Sequence, residues 1–113
     1  MSRSWELFHR DMLESARKIT RFTADCGLEN FVANDMMYDA VLYNLQVLGE
    51  AAKKIPDPIR QRYPEIDWRG VAGLRDVLSH AYFAVDNIAL WKIVSADVPR
   101  LVTQLERLET SLP

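Results

Sequence analysis

The chain has 113 residues, enough for one hydrophobic core and one domain over 1–113. Hydrophobic residues make up 49% of it, which excludes a disordered segment, and a formal net charge of −2 excludes the strongly basic footprint of a dedicated DNA-duplex binder. A single cysteine, Cys26, excludes an intramolecular disulfide and, with two scattered histidines, leaves no metal-ligand spacing. Residues 1–56 and 57–113 each hold seven Lys/Arg and eight Asp/Glu, so neither half is a basic arm. No apolar signal core opens the sequence, and no apolar run approaches the ~18 residues of a membrane span. The expectation is a protein of the reducing cytoplasm, without a membrane segment.

The first helix is predicted from Ser4 to about Cys26, with Gly27 as its stop. Trp5, Phe8, Met12, Ala16 and Ile19 recur at steps of three and four and form its apolar stripe. Arg3, Arg10, Arg17 and Arg21 fall on another stripe, roughly 140° away. That stripe reads either as an RNA-backbone contact or as a solvated face. Glu6 and Glu14, four residues before Arg10 and Lys18, dilute the positive field and favour the solvated face.

Leu28 to Ala33 reads as a connection. Asn34 or Asp35 can cap a second long helix that runs to about Lys54. Met36, Ala40, Tyr43 or Leu45, Leu48, Ala52 and Ile55 are its expected core contacts, and Val41 and Val47 widen the apolar face. Gly49 costs about 1 kcal/mol relative to Ala inside a helix, and a close helix crossing would account for it. Pro56-Asp57-Pro58 ends the helix, and Pro58 to Arg62 can make a short turn of helix capped by Asp57. Asp67 is expected to cap the next helix, with Trp68 as anchor and Gly70 and Gly73 open to close approach by another helix. Phe83 to Val85 form its exit, and Asp86 or Asn87 caps a further helix whose inner face is Ile88, Trp91, Ile93 and Val94. Pro99 kinks or restarts the chain, and Leu101, Leu105, Leu108 and Leu112 make the last stripe. There is no strand signal. The predicted fold is all-α, a bundle of four to five helices.

Leu74 to Tyr82, reading Leu-Arg-Asp-Val-Leu-Ser-His-Ala-Tyr, concentrates the chemistry-bearing residues. On a helix Asp76 and His80 are neighbours at a spacing of four, and Arg75 and Tyr82 share a second face at a spacing of seven. An imidazole moves protons near neutral pH, a guanidinium holds phosphate and opposes transition-state charge, and a carboxylate orients or charges the ring. The set suits phosphodiester cleavage without a metal. The plainer alternative is local helix support.

Arg75, four residues, His80, one residue, Tyr82 resembles the Arg-x4–6-His-x-Tyr motif of the HepT-like toxins, HEPN-domain ribonucleases. Leu45-Gln-Val-Leu-Gly-Glu-Ala-Ala-Lys-Lys-Ile55 resembles the family's second long helix, and Ile66-Asp-Trp-Arg-Gly-Val-Ala-Gly-Leu-Arg75 its lead-in to the motif. Tyr82-Phe-Ala-Val-Asp86 and Leu90-Trp-Lys-Ile93 resemble its exit. The match runs in order along nearly the whole chain. One departure is Asp76, where the family often has Asn.

The resemblance implies a HEPN-like bundle in a two-fold dimer and a cytoplasmic toxin of a toxin–antitoxin pair. It implies a cofactor-free, metal-independent endoribonuclease with RNA as substrate. Arg75 and His80 would be catalytic, and Asp76 and Tyr82 supporting. It further implies a nucleotidyltransferase antitoxin, MntA-like, that transfers AMP to Tyr82. The alternative is a non-catalytic helical partner of such a transferase, which would need Tyr82 but neither Arg75 nor His80. By the same analogy Glu50 lies near the motif helix; otherwise it is an exposed helix-former.

Overall fold

Apolar residues at steps of three and four fold into helices that bury those residues against one another. A computed structural model describes residues 4–83 and 86–110, except for the side chains at 80–83 and 110. In chain order the helices are α1 (Trp5–Phe22), α2 (Leu28–Ala33), α3 (Asp35–Ala52), α4 (Asp57–Arg62), α5 (Trp68–Ala72), α6 (Leu74–Phe83), α7 (Asn87–Lys92) and α8 (Val98–Thr110). A π turn, Ile93–Asp97, joins α7 to α8. No strand occurs among the described residues, and the fold is all-α as the periodicity predicts. The four longer helices α1, α3, α6 and α8 are the expected bundle elements; the short ones occupy the connections.

The centre is the pair α1 and α3, with α8 packed on α1 and α5 and α6 packed on α3. Met12, Ala16 and Ile19 of α1 and Val41, Leu45 and Leu48 of α3 are all fully buried. At about 25 cal/mol per Å² of apolar surface removed from water, this seam is a main stabilising element of the fold. His9 is also buried in α1, and its Nε2–H donates to the Leu105 carbonyl of α8 at 3.0 Å. The three leucines Leu101, Leu105 and Leu108 are buried as predicted, while Leu112 lies outside the described residues.

Several boundaries differ from the sequence reading. α1 stops at Phe22, and Asp25 takes the left-handed conformation at φ 59°. Gly27 is therefore not the stop of α1: it is the N-cap of α2, so 28–33 is a short helix rather than a connection. Phe31 explains it, being fully buried and in ring contact with Tyr38 and Trp91 at 5.2 and 5.1 Å. Asn34 caps α3 by accepting from the Met37 N–H at 3.0 Å. α3 ends two residues before Lys54, and Arg60 closes that end by donating to the carbonyls of Ala52 (2.7 Å) and Ile55 (3.0 Å). Pro56, not Asp57, is the N-cap of α4. Met36, Tyr43 and Ile88 are exposed rather than in the core.

The helix expected after Asp67 is broken in two. Asp67 caps only α5, accepting from the Gly70 N–H at 3.0 Å, and Gly73 forms the turn before α6. A Cβ on Gly70 would collide with the Asp67 carboxylate, and one on Gly73 would meet only the Arg69 carbonyl of its own turn at 3.2 Å and, beyond it, Gly70. Neither glycine receives another helix. Gly49 does: a Cβ there would lie 3.1 Å from the Val71 carbonyl oxygen and 3.5 Å from Leu74 Cβ. This crossing seats the α5–α6 turn on α3 and sets where α6 begins.

Gly49→Val is therefore expected to lower unfolding stability by about 1–3 kcal/mol, the usual cost of overpacking. Urea denaturation followed by circular dichroism measures it, and an unchanged midpoint would contradict the crossing.

Candidate active site

α6 buries Leu74 and Leu78 at 6% and 5% exposure and leaves Arg75, Asp76 and Ser79 in solvent. Leu74, Val77 and Leu78 account for this: they form the apolar edge, and the polar residues occupy the remainder of the turn. The Ser79 hydroxyl donates to the Arg75 carbonyl at 3.3 Å. Among the described residues, neither Arg75 nor Asp76 has an ion-pair partner. An exposed, unpaired arginine keeps its donors for a ligand.

The helical backbone of α6 includes positions 80 and 82, while the side chains of His80 and Tyr82 lie outside the described residues. Register places position 80 about 40° from Asp76, and position 82 about 20° from Arg75. Positions 75 and 80 stand about 140° apart around the helix. The structure thus brings the four candidates onto one helix, but on two flanks, and one copy of α6 does not align Arg75 with position 80.

The other sequence candidates resolve differently. Glu50 is exposed and pairs with Lys53 at 3.4 Å, which fits a solvated helix-former. Of the arginine stripe of α1, Arg17 is paired, meeting Glu106 at 3.2 Å and Glu109 at 4.0 Å; beside the stripe, Lys18 meets Glu14 at 3.4 Å. Arg21 lies over the Phe22 ring at 5.4 Å, and Arg3 is outside the described residues. Among the described residues no group of three or more His, Cys, Asp or Glu is placed to hold a metal, and no helix is long and apolar enough to cross a membrane.

Sequence reasoning missed a cavity of about 550 Å³ beside the motif helix. Leu74 and Val77 of α6, Ile93 and Asp97 of the π turn, and Leu101 and Gln104 of α8 face it. These residues are remote in sequence, so no local spacing signals them. A second missed feature is the Tyr38 hydroxyl, which donates to Asn87 Oδ1 at 2.9 Å and ties the start of α3 to the start of α7.

The fold that positions this site is a HEPN-like helical bundle. Residues 12–108 match the family described as ribonuclease HepT-like. Over 108 residues the chain is 40% identical to "Probable ribonuclease HepT" of Thermococcus cleftensis, covering 96% of this chain and 98% of that one. It is 39% identical over 104 residues to "Putative RNase MJ1380" of Methanocaldococcus jannaschii, covering 92% and 95% of the two chains. No solved structure matches the chain. The chain belongs to the ribonuclease HepT-like family.

Arg75→Ala is expected to leave stability within about 0.5 kcal/mol of wild type, because the side chain is exposed and has no ion pair among the described residues. Thermal denaturation checks this; a large loss would make Arg75 structural.

Proposed function

We propose that the chain is a metal-independent endoribonuclease acting as the toxin of a toxin–antitoxin pair in the cytoplasm, as one HEPN-like domain over 1–113. The observation that carries the reading is the family match across 12–108, joined to a solvent-facing Arg75 that has no ion-pair partner among the described residues, on the helix that includes position 80. The ribonuclease names of the relatives support RNA as substrate.

In the proposed reaction the RNA 2′-hydroxyl attacks the adjacent phosphorus. The 2′-proton passes to a general base, and the bond to the 5′-oxygen breaks as that oxygen takes a proton from a general acid. The products are a 2′,3′-cyclic phosphate and a 5′-hydroxyl. His80 is the acid or base, and Arg75 stabilises the charge that accumulates on the phosphorane-like transition state. Asp76 orients or charges the imidazole. The angular separation of positions 75 and 80 supports a two-fold dimer, in which two motif helices together furnish one cleft.

His80→Ala and Arg75→Ala are each expected to reduce RNA cleavage by about 10²–10⁴-fold and 10²–10³-fold, with wild-type activity surviving EDTA. Helix content and sedimentation of each variant are measured in parallel. Wild-type rates in His80→Ala would end the enzymatic reading, and activity lost in EDTA and restored by one divalent ion would end the metal-independent mechanism.

Tyr82 is the proposed control point. A nucleotidyltransferase antitoxin adds AMP to its hydroxyl, with displacement of pyrophosphate from ATP. The added phosphate and bulk lie on the Arg75 flank and repel the RNA backbone. Incubation with the transferase, ATP and Mg²⁺ is expected to raise the intact mass by one adenylyl group and to stop cleavage, while Tyr82→Phe escapes both. A mass gain that persists in Tyr82→Phe would place the modification elsewhere. Inhibition without ATP would favour the alternative of control by complex formation.

A further inference from the structure

We propose that the cavity between α5, α6 and α8 is a base-selecting subsite that accepts guanine from the RNA strand, a proposal that rests on the ribonuclease reading. Its volume of about 550 Å³ is that of a small-molecule site. Its walls are apolar, with Leu48, Val71, Val98 and Leu101 among them, and so suit the faces of a planar ring. Its polar groups converge from separate elements: Asp67 before α5, Asp97 from the π turn, and Gln104 from α8, whose Nε2–H donates to the Glu65 carbonyl at 2.9 Å.

The charge of the lining selects the chemistry of the occupant. Among the described residues, Glu65, Asp67 and Asp97 share the lining with one cation, Arg100, which Asp97 already engages at 2.9 Å. A phosphate is repelled by such a lining, whereas a neutral ring with N–H donors is attracted. Gly70 N–H occupies Oδ1 of Asp67, and Arg100 occupies Oδ1 of Asp97. The second oxygen of each carboxylate has no hydrogen bond among the described residues. Guanine presents adjacent N1–H and N2–H donors, a fork that fits one carboxylate as a guanidinium does. Unstacked RNA bases are commonly read on this edge.

Position within the fold links the cavity to the reaction. Val77 lines it and follows Asp76 directly, and position 80 lies about 60° round the helix from Val77. Leu74 lines it as well and precedes Arg75 directly, so a base seated here lies between the two flanks, with position 80 about 60° from Val77 and Arg75 about 100° from Leu74 round the helix.

Two measurements on the full chain test the subsite. The first is titration with guanosine and with inosine, which lacks the N2 amine, followed by saturation-transfer NMR. The second is sequencing of the ends released from a random RNA pool. The expected results are guanosine binding weakened about tenfold or more in inosine and in Asp97→Asn, and ends enriched in guanine with an enrichment that collapses in Asp97→Asn. Gln104→Ala, at a half-buried position, repeats the test without altering a carboxylate. Ends without base preference in the wild type, or a preference unchanged in both variants, would overturn the subsite. If the wild type cleaves no RNA the ribonuclease reading fails, and the titration alone decides: guanosine binding with discrimination against inosine keeps the pocket, and its absence removes it. Absence of binding together with altered sedimentation in Asp97→Asn would assign the cleft to a protein contact and overturn the proposal.

Discussion

The contact on which the rest depends is the missing side chain of Gly49. A helix interior disfavours glycine, yet here the absence of Cβ lets the Val71 carbonyl come within 3.1 Å of where one would stand. That approach fixes the α5–α6 turn against α3. α3 is in turn fixed to α1 through fully buried side chains on both helices. The start of the motif helix is thus located by the core, not by the loop that leads to it. Asp67 and Trp68 add to this: the carboxylate caps α5, and the indole N–H donates to the Tyr63 carbonyl at 3.0 Å.

Where its side chains are described, α6 is buried along one edge and open to solvent along the other. Leu74 and Leu78 anchor α6, while Arg75, Asp76 and Ser79 face outward without tertiary restraint among the described residues. This division between buried edge and open flank suits a site for a long, flexible substrate, which must reach the reacting groups from outside. It also gathers the exposed polar residues of α6 in one short segment. In the arginine stripe of α1, by contrast, Arg17 is engaged by Glu106 and Glu109 of α8.

The sequence made the long helices legible because 3.6-residue periodicity is strong in amphipathic helices, and it made the motif legible because its residues are contiguous. It misled where one residue type serves two ends. Gly27 reads equally as the stop of one helix or the start of the next, and the buried ring of Phe31 decided in favour of the start. Gly70 and Gly73 looked like a packing surface, but Gly70 makes room for a capping carboxylate and Gly73 makes the turn. Met36 and Ile88 follow the apolar pattern yet stand in the first turn of their helices, where one side has no neighbour, and both are exposed. Asp97 and Gln104 could not be found at all, because a cavity is made by residues far apart in the chain.

The π turn has a geometric consequence for the C-terminal third. Its wide hydrogen bond runs from Val98 N–H to the Ile93 carbonyl, directly before Pro99, which has no N–H to give. Leu90, Val94 and Val98 are buried at successive steps of four, after which Leu101, Leu105 and Leu108 follow at three, four and three. In an α-helix each four-residue step overshoots a full turn by about 40°, so two in succession would carry the buried edge about 80° round the axis. The three-residue steps to Leu101 and Leu108 take that excess back, so the buried residues stay on one edge, and α7 and α8 share it across the π turn.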